Sequence, residues 1–323
     1  MESLVSFSKW LSKWFTVAVI LWAAFNYALP ATSSWVIPNT AYLLGLILFG
    51  MGLTLTTEDF KRIAKRPIPV VLGTVAHYVI MPGLAWLLCM IFHLKGATAA
   101  GVILVGSCPS GTSSSVMAFL SGGDVALDVS IETLSTLFAP LMIPTLSTLL
   151  APLMIPTLLS FLSGQYVSVP AQSLFLSTLR IVVVPIILGV LVHSIFGKKI
   201  DAIIKIMPLI SQAAILLIVG AVVSANHANI FTAATALVIP VVMLHNLCGY
   251  ALGFGFSKIL GLEEPQQKAI TFEVGMQDSS LGATLAMKYF VPQAAIPSTI
   301  FSIWHNISGS ILSSWWKNHS KNN

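Results

Sequence analysis

Charge is what this chain of 323 residues has least of. Only 8% of its residues are Asp, Glu, Lys or Arg, against about 25% in soluble domains, which excludes an ordinary water-soluble fold. Cysteine is scarce too. Cys89, Cys108 and Cys248 all sit inside apolar runs without pairing or metal-ligand spacing, so neither a disulfide framework nor a thiolate metal centre is expected. The net charge of +5 is not a nucleic-acid footprint, because the basic residues fall in short loops between apolar runs. No G-x-S-x-G or H-E-x-x-H spacing occurs. Ser114 and His305 are present, but an intramembrane hydrolase stays a remote alternative and the expectation is that the protein is not an enzyme. Residues 3–15 hold lysines and tryptophans without an apolar core ending in a small-residue cleavage site, so no cleavable signal is expected there.

What the chain has in abundance is apolar length. Hydrophobic residues make up 56% of it, and the mean hydropathy is +0.90. Segments of spanning length fall at 13–29, 37–54, 67–93, 97–120, 124–163, 171–197, 207–225, 230–256, 266–287 and 292–316. The expected fold class is therefore an all-α polytopic membrane protein with ten transmembrane helices. Loops on one side hold Lys9, Lys13, Lys61, Arg62, Lys65, Arg66, Lys198, Lys199, Lys205, Lys258, Lys268, Lys317 and Lys321, while the other side has Lys95 and Lys288. That bias places both termini in the cytoplasm and agrees with an even helix count. Dividing the chain near residue 168 gives two domains, 1–168 and 169–323, of five segments each. An odd number per half makes the second half an inverted repeat of the first.

Two segments are interrupted at corresponding places. The fourth reads GSCPSGTSSSVMAFLSGG over 106–123, and the ninth reads TFEVGMQDSSLGATLA over 271–286. Pro109 and Gly111 break the first, while Gly275 and Gly282 bracket the second. Discontinuous helices survive in a membrane only where the freed backbone lines a cavity or binds something, and such a pair in inverted register is the mark of a carrier. Glu273 stands at the second break. An unpaired carboxylate at that depth costs about 2.5–3.5 kcal/mol on insertion scales, so a cation held by Glu273 and freed carbonyls is the expectation. A structural pairing of Glu273 with His77 or Arg180 is the alternative.

The fifth segment is too long. Leu134–Thr145 is repeated at once as Leu146–Thr157 with one difference, Phe138 against Leu150. A continuous helix over 124–163 reaches about 60 Å, beyond a membrane of about 40–45 Å with headgroups. The reading is a recent or engineered tandem duplication with one copy displaced. Because Asp128 and Glu132 precede both copies, the first copy is expected to keep the native place. Residues after about 146 then bend away on the outer side, with Pro140, Pro144, Pro152 and Pro156 as possible kinks.

The pieces SCPSGTSSSVMAFLSGGDVAL (107–127), FEVGMQDSSLGATLA (272–286) and FSIWHNISGS (301–310) resemble the bile acid:sodium symporter family in its bacterial branch. The resemblance implies ten helices in two inverted repeats, a panel domain beside a core domain, and fourth and ninth helices that cross at their breaks with two sodium ions behind the crossing. Carried over, one sodium site uses Ser114, Ser115, Asp128, Glu132 and Glu273. The second uses Glu273, Val274, Met276 and Gln277 with His77. The substrate cleft is bordered by Thr112, Ser279, His305 and Asn306. Departures from the family's usual pattern are Ser115 for Asn, His77 for Gln, Asp278 for Asn, and Asp128 and Glu132 for small or hydroxyl-bearing residues. Three extra carboxylates around Glu273 open the door to proton coupling.

Several residues carry two readings. Asp128 and Glu132 share a helical face and are either a cation site or protonatable pair, or a solvated first-turn face capped by Asp124. His305 and Asn306 contact substrate or serve as buried hydrogen-bonding groups. Thr112 to Ser115 satisfy nearby backbone, or hold a carboxylate with the following helix N-terminus. Arg180 snorkels to the outer interface or meets an anionic substrate. The implied function is sodium-coupled symport by alternating access. The substrate is an organic anion, bile-acid-like or a small carboxylate such as pantoate, taken in across a bacterial inner membrane. A proton-coupled carrier using Asp128, Glu132 and Asp278 is the alternative. Sodium, the organic anion and the lipid bilayer are the expected partners, with no nucleic acid and no obligate protein partner.

Overall fold

The computed structural model describes residues 14–55, 67–111, 113–150, 171–228 and 233–319, with Phe7, Trp10, Lys61, Ala64 and Lys65. Among them every regular element is a helix. These are α1 (Phe15–Ala28), α2 (Thr40–Thr54), α3 (Pro67–Ile91), α4 (Gly96–Gly106), α5 (Ser113–Ser121), α6 (Val125–Leu150), α7 (Ala171–Thr178), α8 (Val184–Phe196), α9 (Asp201–Asn226), α10 (Ala233–Ile259), α11 (Glu264–Gly275), α12 (Ser279–Tyr289) and α13 (Ile296–His319). A π-helical turn, Leu179–Val183, joins α7 to α8 and carries the exposed Arg180.

Among the described residues six stretches are long and apolar enough to cross a membrane: Pro30–Thr54, Pro67–Ile91, Val125–Ser147, Phe175–Phe196, Asp201–Asn226 and Ala236–Ile259. The fourth and ninth apolar segments do not count as single spans because each is two half-helices. α4 and α5 have 11 and 9 residues, and α11 and α12 have 12 and 11. An α-helix rises about 1.5 Å per residue, so no half reaches across about 30 Å of hydrocarbon.

Packing sorts the helices into two groups. In one, α2 lies against α8 and α9, and α1 lies against α9. Gly52 and Gly189 make the α2–α8 approach possible: a Cβ on Gly52 would run into the backbone of Ile186, and one on Gly189 into Phe49 and Gly52. With no hydrophobic driving force between helices in lipid, such close backbone approach is what holds them. In the other group, α10 packs on α3, α11 and α13, while α11 also touches α5 and α6. The groups meet where α9 and α2 lie against α12, and where α7 lies against α6.

α6 is one helix of 26 residues with Pro140 and Pro144 inside it. The first copy of the duplicated dodecamer thus continues the helix that starts at Val125. Helix also extends into the first residues of the second copy, and residues 151–157 lie outside the described residues. Ile131, just before the first copy, fills the space over Gly73, and Tyr78 of α3 donates to the Ser135 carbonyl within it at 2.7 Å, which ties the start of the first copy to α3.

Candidate functional site

Each break follows from its local sequence. After α4, Pro109 has no N–H and disfavours helix at the residue before it, so the chain runs unwound over Ser107–Gly111. After α11, Met276 is extended, with φ −106° and ψ 135°. Asp278 then restarts the helix as the N-cap of α12, accepting from the Leu281 N–H at 3.0 Å. The two unwound stretches meet: the Asp278 N–H donates to the Pro109 carbonyl at 2.8 Å. Gly111 permits the contact, since a Cβ there would sit 2.7 Å from the Gln277 carbonyl oxygen.

Around this crossing lie three buried carboxylates. Asp124 caps the start of α6 through the Leu127 N–H at 3.1 Å, and its own N–H donates to the Pro265 carbonyl at 2.8 Å. α6 is thereby tied to the start of α11. That register brings Asp128 and Glu132 opposite Glu273, with carboxylate oxygens of all three within 4.8 Å of one another. Ser114 Oγ donates to Glu273 Oε1 at 2.7 Å and lies 3.2 Å from Asp128 Oδ2. Ser115 Oγ lies 2.7 Å from Asp128 Oδ2 and 3.1 Å from Glu132 Oε2. Asp128 and Glu132 are 0% and 4% exposed, so the solvated-face reading fails. The short bridge from Asp128 to Glu273 is the arrangement expected if the first dodecamer copy continues the helix in register.

A second set of contacts lies against the freed backbone. His77 Nδ1 is 2.8 Å from the Glu273 carbonyl oxygen, and Nε2 is 2.9 Å from that of Cys108. A neutral imidazole donates only one of these bonds, whereas both are donated by the imidazolium. His77 thus meets the backbone of Glu273, while the Glu273 carboxylate meets Ser114 rather than His77 or Arg180. In the orientation that satisfies its amide, Gln277 donates to the carbonyls of Cys108 at 2.7 Å and Val105 at 3.0 Å. Val274 and Met276 are fully buried beside it.

The residues proposed for substrate are more scattered. Ser279 is buried, and its N–H donates to the Gln277 carbonyl at 2.8 Å. His305 is buried edge-on to Phe301, and its Nδ1 has no hydrogen-bond partner. The half-buried Asn306 donates to the Ser302 carbonyl at 2.7 Å. Thr112 lies outside the described residues. Asp278 is occupied as a helix cap, a role its proton-carrying reading did not foresee.

Three contributors escaped the sequence reading: Asn246, Ser308 and Ser110. Asn246 of α10 donates to the Gly275 carbonyl at 2.8 Å and accepts from Ser308 Oγ at 2.6 Å, which satisfies the last carbonyl before the break and ties it to α13. Its signal was the polar pair His245–Asn246 inside the apolar run 230–256. Ser110 is the third, a buried hydroxyl beside the Glu273 carboxylate.

Residues 41–233 match the sodium bile acid symporter family. The chain is 42% identical to the sodium-dependent transporter YocS of Bacillus subtilis (strain 168) over 321 residues, 99% of this chain and 96% of that one. It is 33% identical to the probable sodium/metabolite cotransporter BASS1 of Arabidopsis thaliana, over 98% of this chain and 78% of the relative. Identity to the human ileal sodium/bile acid cotransporter is 30%, over 78% of this chain and 69% of that one.

Proposed function

The chain belongs to the sodium bile acid symporter family, and from that premise we propose that it is a sodium-coupled symporter importing an organic anion by alternating access. Membership makes it a transporter rather than an enzyme, with sodium as the co-transported ion. The observation that carries the finer reading is the meeting of two broken helices beside an all-oxygen cluster. Sodium is a hard ion that prefers oxygen ligands, and Ser114, Ser115, Asp128, Glu132 and Glu273 supply them at one place. The second sodium position lies at the carbonyls of Glu273, Val274, Met276 and Gln277, where His77 stands.

The same reading divides the chain into repeats 1–168 and 169–323. The group α1, α2, α7, α8 and α9 acts as the panel, and the remaining helices act as the core that moves against it. The substrate is a bile-acid-like sterol or a short carboxylate such as pantoate, met by Thr112, Ser279, His305 and Asn306 on the open side of the crossing. Both termini face the cytoplasm of a bacterial inner membrane.

Uptake of a labelled acid panel into proteoliposomes tests this, with sodium gradient, pH gradient and voltage imposed separately. Accumulation that follows the inward sodium gradient is the expected result. The crowding of three carboxylates favours proton coupling as a second reading, without Asp278, whose carboxylate is engaged as a cap. Accumulation driven by a pH gradient in sodium-free medium would select it.

A further inference from the structure

We propose that Arg180 and Lys288 together bind the headgroup of an anionic phospholipid at the seam between α7 and α12. The span Phe175–Phe196 is the least covered of the six, with 28% of its apolar window buried. Leu176, Leu179, Val184 and Ile187 along it are all exposed, so this stripe looks into lipid. Arg180 stands in the same stripe and is exposed with them. An arginine left in hydrocarbon is costly, and it persists there only by reaching the interface or an anion.

The protein offers it no anion. No Asp or Glu occurs from Thr133 to Ile200 or from Ser279 to Asn323, and among the described residues no hydrogen bond or ion pair engages Arg180. A second cation lies close by without an acid. Lys288 of α12 donates to Ser177 Oγ of α7 at 2.9 Å, and its ammonium is 5.4 Å from the centre of the Tyr289 ring. Both contacts leave its charge uncompensated. Ser177 and Arg180 are three residues apart, and such pairs are surface neighbours with Cβ atoms about 5–6 Å apart. The π-helical turn starts between them. It lets Leu179 and Arg180 both face outwards while Ile181 and Val182 are buried, and such turns recur at functional sites.

Depth selects the ligand. Arg180 comes five residues after Phe175, about 7.5 Å into the span at about 1.5 Å per residue. Helical side chains lean towards the helix N-terminus, so the guanidinium is directed back to the membrane face that carries phosphates. Its planar fork holds two phosphate oxygens, and the Lys288 ammonium adds a point charge. Two uncompensated cations favour a lipid of net negative charge over a zwitterionic one, whose own ammonium offsets its phosphate. A transported carboxylate is the poorer match, because Arg180 faces lipid while the residues proposed for substrate stand at the crossing. The bound headgroup would join α7 of one packed group to α12 of the other.

The test strips the purified full chain of lipid in neutral detergent and titrates it with phosphatidylglycerol or phosphatidylcholine of matched tails. Native mass spectrometry and thermal unfolding read the tightest-bound lipid. Phosphatidylglycerol should half-saturate at a concentration at least about tenfold lower than phosphatidylcholine. Arg180→Gln and Lys288→Gln should each weaken it about fivefold, and Arg180→Lys should recover part of the loss. If Lys288→Gln does not fold, the two Arg180 variants decide, since that side chain is exposed. Sodium stabilisation should survive in every variant, which separates this site from the ion cluster. Equal affinity for the two lipids overturns the inference, as does loss of the tightest lipid in Lys198→Gln with Lys199→Gln instead. Equal stabilisation by millimolar glycerol phosphate would show a site for free phosphate and overturn it too.

Discussion

Glu273→Gln isolates the electrostatics of the cluster because it keeps shape and removes one charge. At an effective dielectric constant of about 20, unit charges within 4.8 Å of one another repel by at least about 3.5 kcal/mol. Glu273 faces two such neighbours, so its neutralisation relieves about 7 kcal/mol or more of repulsion in the ion-free protein when all three are ionised. The same change removes a charged ligand. A bound ion stabilises the folded protein by about 2.7 kcal/mol at 100 times its dissociation constant, and that increment should vanish. The two effects have opposite signs. In choline chloride the variant should melt higher than the parent, and on adding sodium chloride the parent should gain stability while the variant does not. Thermal unfolding in detergent, followed by tryptophan fluorescence in both salts, reads both numbers at once. An undiminished sodium shift in the variant, or a lower melting temperature in choline, refutes the shared-charge geometry.

Asn246→Leu should strand the Gly275 carbonyl and lower stability by about 1–3 kcal/mol; a melting temperature equal to the parent's would show that this carbonyl finds another donor. Gly111→Val should drive the two breaks apart, because its first side-chain carbon already falls 2.7 Å from the Gln277 carbonyl; sodium-dependent uptake should be lost, and retention of more than half of it would contradict the crossing. His77→Gln should keep more stability than His77→Leu, since only the former retains a donor for the Glu273 or Cys108 carbonyl; equal melting temperatures would count against that role. Deleting 146–157 should leave the half-saturating sodium concentration within about threefold, as the site is set from the N-terminal end of α6; a tenfold change, about 1.4 kcal/mol, would place the second copy in the native position instead.

Much of the site was legible because its residues break local rules. Pro109 and Gly111 interrupt an apolar run, and Glu273 is a carboxylate where apolar residues are expected, so both breaks could be read without coordinates. The capping of α6 by Asp124 was equally visible. Partnership across the fold was not. Asp278 looked like a spare proton carrier, yet a carboxylate just before a helix start is an N-cap by position, and the Leu281 N–H claims it. The alternative pairing of His77 with the Glu273 side chain gives way to a bond with the backbone of that residue. Ser110 and Asn246 went unnoticed because a serine in a loop and an asparagine in a helix are individually ordinary. Their meaning comes from residues at far sequence separation. Six of the ten apolar segments are long, unbroken and apolar enough among the described residues; of the others, the fourth and ninth are interrupted, α1 has 14 residues, and α13 carries several serines, two histidines and two asparagines.

The backbone bond from Asp278 to Pro109 makes the crossing a common fulcrum for four levers. α4 and α5 extend from one side of it, α11 and α12 from the other. With Gly111 against Gln277 there is no slack in which one pair can tilt alone. Asp124 and Pro265 add a second rivet near the lysine-rich end, so α6 and α11 are tied to each other there. An ion that draws Glu273 toward Asp128 therefore acts on the orientation of all four half-helices through backbone alone. News of its arrival needs no chain of side chains to reach the far face, because the structural members that bind it are the ones that would move.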